Sequence, residues 1–220
     1  MTTAQIVQSA PAVDRQAVKE MVSEVLSKPG IARIVVRPDE ALTGSGDDAS
    51  DVFFAAVLAR LMIAERLDVD VAYAPAHPTA ATVVYGLPHG AQALDLAGRG
   101  RALSIPLIRD DAATVLVGHA RHLGVEGRRL HGESYVDDTR LFTGEVRGVR
   151  IEPTPTAPGL RARIERPLRL PGSGGGWVWG RAAQTGGENL VVEREGVLTP
   201  RVVKRSTFYR HHVDLRLVRP

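Results

Sequence analysis

The stretch at 68–88, DVDVAYAPAHPTAATVVYGLP, constrains this chain more than any other. Val69, Val71 and Tyr73 alternate with Asp70, Ala72 and Ala74, which is the period of a strand. Pro75 stops that strand, because a ring without an N–H cannot continue a ladder. A helix-like run starts at Thr79, and Gly86-Leu87-Pro88 ends it. Strand, tight loop and helix in this order make a phosphate-binding device, in which backbone N–H groups and the helix dipole point at an anion. The loop here, Ala76-His77-Pro78-Thr79, has no glycine, and Pro78 removes a donor. The stretch therefore predicts a layered α/β unit and leaves open whether its loop holds an anion.

The flanking sequence extends that unit. Residues 14–27 predict a helix, with Val18, Met21, Val22 and Val25 on one face and Asp14 as its cap. Residues 31–37 are a short apolar strand of the kind found inside a parallel sheet. Residues 50–67 form the strongest helical pattern, apolar around nearly its whole circumference and so deeply packed. A further helix spans about 89–97, and strands at 101–108 and 114–118 flank an Asp110-Asp111 turn. This alternation predicts an α/β domain over residues 14–110, behind a flexible tail at 1–13. Beyond 110 the pattern changes to short alternating segments with turns between them. It predicts a β-rich, sandwich-like domain over 111–220. The glycine-rich run at 171–176 is expected to be a hairpin loop.

Composition excludes some chemistry. There is no cysteine, hence no disulfide or thiolate. No apolar run approaches the roughly 20 residues of a membrane span, and the N-terminus lacks the pattern of a signal peptide, so a cytoplasmic location is expected. Charge is uneven: residues 1–110 hold 10 Lys+Arg against 13 Asp+Glu, and residues 111–220 hold 18 against 12. The second half therefore attracts anions modestly, or simply carries an arginine-rich surface.

Three stretches taken together resemble the bacterial diacylglycerol kinase and sphingosine kinase-like lipid kinases. In that family a helix leads to a strand ending in Gly-Gly-Asp-Gly-Thr; here Asp39 matches the aspartate, while Arg37, Pro38 and Glu40 replace the glycines and Ala41 the threonine. The family's Gly-Thr-Gly-Asn loop corresponds to Ala76-His77-Pro78-Thr79, and its Leu-Gly-Leu-Pro helix ending to Tyr85-Gly86-Leu87-Pro88. Residues 91–107 match the arginine-rich segment that follows. The resemblance implies a nucleotide-binding-like α/β domain followed by a β-rich one. It also implies a phosphate site that has degenerated, since the glycines that let backbone wrap phosphates are gone.

The candidate residues follow from these two lines. Asp39, at a strand C-terminus, is the candidate catalytic group, or else a turn residue. Arg37, His77 and Thr79 are the candidate cofactor-binding residues, with Thr79 equally suited to be an N-cap. Arg181, Lys204, Arg205, Arg210 and His211 are candidates for an anionic ligand, interleaved with Phe208 and Tyr209; a pair of strands with basic outward faces is the simpler alternative. Asp47-Asp48 suits a solvated loop better than Mg²⁺. His119, His122 and the His211-His212 pair lack the further ligands of a zinc site, so no metal is expected. No cofactor is expected either, and ATP with Mg²⁺ enters only if the family's activity is retained. The expected function is a lipid-kinase-like binding or regulatory module for a lipid or other anionic small molecule. The alternatives are an active lipid kinase with a rebuilt site, or a nucleic-acid or protein-binding module. Nucleic acid is the less favoured partner, and a homo-oligomer through the β-domain is possible on this reading.

Overall fold

The computed structural model describes residues 2–7, 13–39, 48–165 and 176–220. Within these, β1 (Thr2–Val7), β2 (Ile31–Arg37), β3 (Asp70–Tyr73) and β15 (Leu215–Arg219) run parallel, and β4 (Arg101–Ile105) closes the sheet antiparallel to β15, in the order β1-β2-β3-β15-β4. Period-2 alternation covers both faces. Ile34, Val36, Val71, Tyr73 and Leu217 point to one core, Val35, Ala72, Ala74 and Val218 to another. The first core is filled by α1 (Arg15–Ser27), α2 (Asp48–Ile63) and α3 (Ala80–Tyr85). The second is closed by α4 (Gly90–Arg99) through Ala93 and Ala97.

Local chemistry sets the helix ends. Asp14 accepts a hydrogen bond from the Gln16 backbone N–H at 2.9 Å, and Val18, Val22 and Val25 then bury one face of α1. Gly86, in the left-handed region at φ 64°, ends α3. α2 is apolar all round because it is covered twice, by the parallel sheet and by Val115 and Val117 of the following segment. Its buried Phe53, Phe54, Leu58 and Leu61 each contribute about 1.5–3 kcal/mol by leaving water.

The second sheet is antiparallel. Its order is β12 (Val178–Gly180), β11 (Leu160–Ile164), β10 (Gly148–Pro153), β7 (Ala120–Gly124), β13 (Ala182–Arg194), β14 (Val197–Arg210), β5 (Ile108–Asp110) and β6 (Val115–Leu116). β8 (Leu130–Val136) pairs with β13 and with β9 (Thr139–Val146). The molecule is thus mixed α/β, with one parallel-containing sheet and one large antiparallel sheet, as the sequence pattern implied. Among the described residues no helix is long and apolar enough to cross a membrane.

Two boundaries differ from expectation. Residues Thr2–Val7, expected as tail, form edge strand β1 and pair with β2 from Thr2↔Ile31 to Val7↔Arg37. The final segment, expected in the β-rich half, returns as β15 to lie between β3 and β4. Both pairings join distant parts of the chain, which local periodicity does not encode. The glycine run falls mostly outside the described residues, as do Asp47 and the Asp48 side chain.

Candidate functional site at the sheet's C-terminal edge

In parallel sheets ligands sit beyond the carboxyl ends of the strands. Here β2 ends at Arg37, followed by buried Pro38 and half-buried Asp39, and β3 ends beside it, with the Ala74 N–H donating to the Val36 carbonyl at 2.9 Å. Arg37, Asp39, His77 and Thr79 follow the ends of β2 and β3 on this edge. Their surroundings differ from one another. The Arg37 guanidinium donates to the Gln5 side-chain oxygen of β1 at 3.2 Å. His77 is exposed, whereas Thr79 is buried.

Thr79 is the N-cap of α3. Its hydroxyl accepts from the Thr82 N–H at 3.2 Å, and the Thr82 hydroxyl oxygen accepts from the Thr79 N–H at 2.8 Å, a reciprocal capping box. The next helix donor is also taken. The Ala81 N–H donates to the Asp51 carboxylate of α2 at 2.9 Å. Asp51 is 1% exposed, and its other oxygen accepts from the Tyr73 hydroxyl at 2.9 Å. Tyr73 stacks on Phe54 with ring centroids 4.1 Å apart. Burial, and then the Asp51 charge, hold the Tyr73 phenol well above its ordinary pKa, so it stays a donor.

A second carboxyl meets this cluster from the antiparallel sheet. Glu195 and Gly196 are the two central residues of the β13–β14 hairpin, both at positive φ (46° and 74°), the geometry of a two-residue turn that follows strand twist. The Glu195 side chain is buried and accepts from three consecutive N–H groups: Val117 at 2.7 Å, Gly118 at 3.0 Å and His119 at 3.1 Å. A Cβ on Gly118 would lie 2.6 Å from one Glu195 oxygen, 2.8 Å from the Ala80 Cβ and 3.2 Å from an Asp51 oxygen. Glycine is required there, and the two carboxyls crowd the same point. Burial, then repulsion from Asp51, push Glu195 up to about 8, against the pull of its three backbone donors. Burial and the neighbouring Asp51 charge therefore favour the protonated form of Glu195. Arg194 beside it pairs with buried Asp110 at 2.6 Å, which also accepts from the Ala112 and Thr114 N–H groups.

The anion-ligand candidates are not gathered into one site. Arg181 is exposed before β13, and its carbonyl accepts from the Arg210 N–H at 2.8 Å. Arg210 is paired with Asp214 at 2.9 Å. Lys204 and Arg205 lie farther along β14, opposite the region of Gly186. His211 lines a different feature, a cavity of about 620 Å³ where the chain crosses back to the parallel sheet. Met62, Leu67, Ser104 and His212 are among its other lining residues. Phe208 is fully buried, and half-buried Tyr209 has the Arg109 guanidinium over its ring. His122, also set aside as structural, is buried between Thr185 (2.7 Å) and Ser206 (3.1 Å). No group of three or more potential metal ligands occurs among the described residues.

Sequence reasoning missed Asp51, Tyr73 and Glu195. Asp51 did leave a signal, as a charge at the start of a helix otherwise apolar all round. Glu195 left less, because an Arg-Glu-Gly-Val hairpin reads as an exposed turn.

At the start of α3 the Thr79 N–H donates to the Thr82 hydroxyl and the Ala81 N–H to the Asp51 carboxylate. No protein-family model matches this sequence, and no curated protein matches it. Among solved structures, the fold is similar to that of an NAD kinase from Archaeoglobus fulgidus in complex with ATP, with a TM-score of 0.54 and 11% identity over 99% of this chain and 94% of that one. At that identity the likeness is one of fold, and the fold is kinase-like: a parallel-containing α/β layer joined to a large antiparallel sheet.

Proposed function

We propose that this protein is a kinase-fold binding module that does not transfer phosphate. One observation carries the reading: the Asp51 carboxylate takes the Ala81 N–H at the start of α3 and is itself held by Tyr73. The chain supplies internally the negative charge that such a loop otherwise takes from a phosphate. Arg37 and Pro38 at the end of β2 support the reading, since a side chain and a ring fill space that close backbone wrapping needs.

A second reading has one observation in its favour. The similar NAD kinase was solved with ATP bound, and Asp39 here stands at the end of β2. An active enzyme would use Asp39 beside a nucleotide bound in another pose, with catalysis by positioning and charge neutralisation. Phosphotransfer assays separate the two. The protein is incubated with Mg–ATP labelled in the γ-phosphate, together with diacylglycerol vesicles or with a dinucleotide acceptor. The binding-module reading expects no labelled product above a protein-free control. Label transfer that vanishes in Asp39→Ala establishes the kinase instead.

A further inference from the structure

The basic strand β14 is paired on one side over nearly its whole length, from Arg194↔Val197 to Ala182↔Tyr209. On its other side only Phe208, Tyr209 and Arg210 pair, with β5. Residues 197–207 therefore present an unpaired ladder edge among the described residues. Burial is lopsided across the hairpin. Leu190, Val191 and Val192 of β13 are buried, whereas Val197, Leu198 and Val202 of β14 are 55%, 48% and 45% exposed. An open edge flanked by aliphatic side chains is a template for another strand.

Charge selects the occupant. β14 contains no Asp or Glu, and Arg201, Lys204 and Arg205 are exposed with no ion pair among the described residues. A second copy pairing antiparallel through the same edge would set these cations against one another, which is destabilising. Single-stranded nucleic acid needs aromatic faces for its bases, and the free edge at 197–207 contains no aromatic residue. An extended acidic segment meets both requirements. Its backbone extends the ladder except opposite Pro200, which has no N–H to donate, its carboxylates pair with Arg201, Lys204 and Arg205 on the two faces of the strand, and its aliphatic side chains pack beside exposed Val197, Leu198 and Val202. We propose that the free edge of β14 is a docking site for an extended acidic–aliphatic peptide segment of a partner protein, bound by strand addition. This proposal is independent of whether the protein transfers phosphate.

The test uses the full chain and a dye-labelled ten-residue peptide of Glu, Val and Thr with Glu on both faces of the extended strand, and a Lys-for-Glu peptide as its counterpart. Fluorescence anisotropy is expected to show saturable binding of the acidic peptide alone, weakening as salt rises. The double variant Arg201→Glu with Lys204→Glu is expected to bind about tenfold more weakly, since two exposed attractions become repulsions. Its unchanged melting temperature would show that the surface, and not the fold, was altered. Hydrogen exchange is expected to slow over 197–207 when the acidic peptide binds. The proposal is overturned if the acidic peptide does not bind, if the charge-reversed variant binds it equally well, or if protection appears elsewhere. It is also overturned if size-exclusion chromatography shows that a dimer of this chain occupies the edge, or if a single-stranded oligonucleotide binds it more tightly than the peptide.

Discussion

Two buried polar clusters hold this molecule together, and they solve the same problem in opposite ways. At the junction of the two sheets, Asp51 and Glu195 bring two carboxyls together and satisfy them with a tyrosine hydroxyl and four backbone N–H groups. Inside the antiparallel sheet, His122 is closed off by neutral hydroxyls: Thr185, Ser206 and, through Thr185, Ser134. Burial pushes His122 down to about 3, so it stays uncharged, whereas Glu195 is pushed up to about 8. The neutral cluster fixes one domain's interior. The charged one ties α2 and α3 to the β13–β14 hairpin.

The largest effect is expected from breaking the charged cluster. Asp51→Ala leaves the Tyr73 hydroxyl and the Ala81 N–H without their acceptor, and relief of the repulsion on Glu195 only partly offsets this. A loss of about 2–4 kcal/mol in urea unfolding is expected. Breaking the neutral cluster costs somewhat less. His122→Ala removes the partner of two buried hydroxyls and opens a small void, for an expected loss of about 2–3 kcal/mol. A larger loss from His122→Ala than from Asp51→Ala would reverse the comparison.

The clusters also differ in the sign of their pH dependence. Folded Glu195 keeps a proton that an ordinary glutamate releases near 4.5, so its contribution to stability falls as pH rises from about 4.5 to about 8. His122 refuses a proton that an ordinary histidine takes up near 6.5, so its contribution falls as pH drops from about 6.5 to about 3. Melting temperatures between pH 4 and 9 are expected to decline on the alkaline side in the native protein. Glu195→Gln, though less stable overall because its amide cannot accept all three N–H bonds, is expected to flatten that decline. An unchanged alkaline slope in Glu195→Gln would separate Glu195 from the effect.

Much of the fold was legible in the sequence, because it is written locally. The apolar face of α1, the all-round apolar α2 and the Gly86-Leu87-Pro88 ending each sit within one element. Residues 213–219 read as a strand, but the place of β15 in the first sheet, like β1 as a whole, was illegible for the opposite reason. TTAQIV carries few apolar residues, and only pairing with β2 makes it a strand. The long β13–β14 hairpin was read as fragments, since Gly186-Gly187 and Pro200 look like breaks, yet β13 runs through the glycines, paired with β8, and β14 runs through the proline. At the site, the edge and its loops were located, but their occupants were not. Asp51 and Glu195 act through contacts 30 and 78 residues away, with Ala81 and Val117. The expected gathering of Arg181, Lys204, Arg205, Arg210 and His211 dissolved because a strand spreads consecutive residues along its length.

Calorimetric titration of the native protein with Mg–ATP at pH 7 tests the central claim most directly, namely that the chain's own carboxylate holds the place of a phosphate. No saturable heat up to millimolar nucleotide is the expected result. Saturable, Mg²⁺-dependent binding that disappears in Asp39→Ala would contradict it.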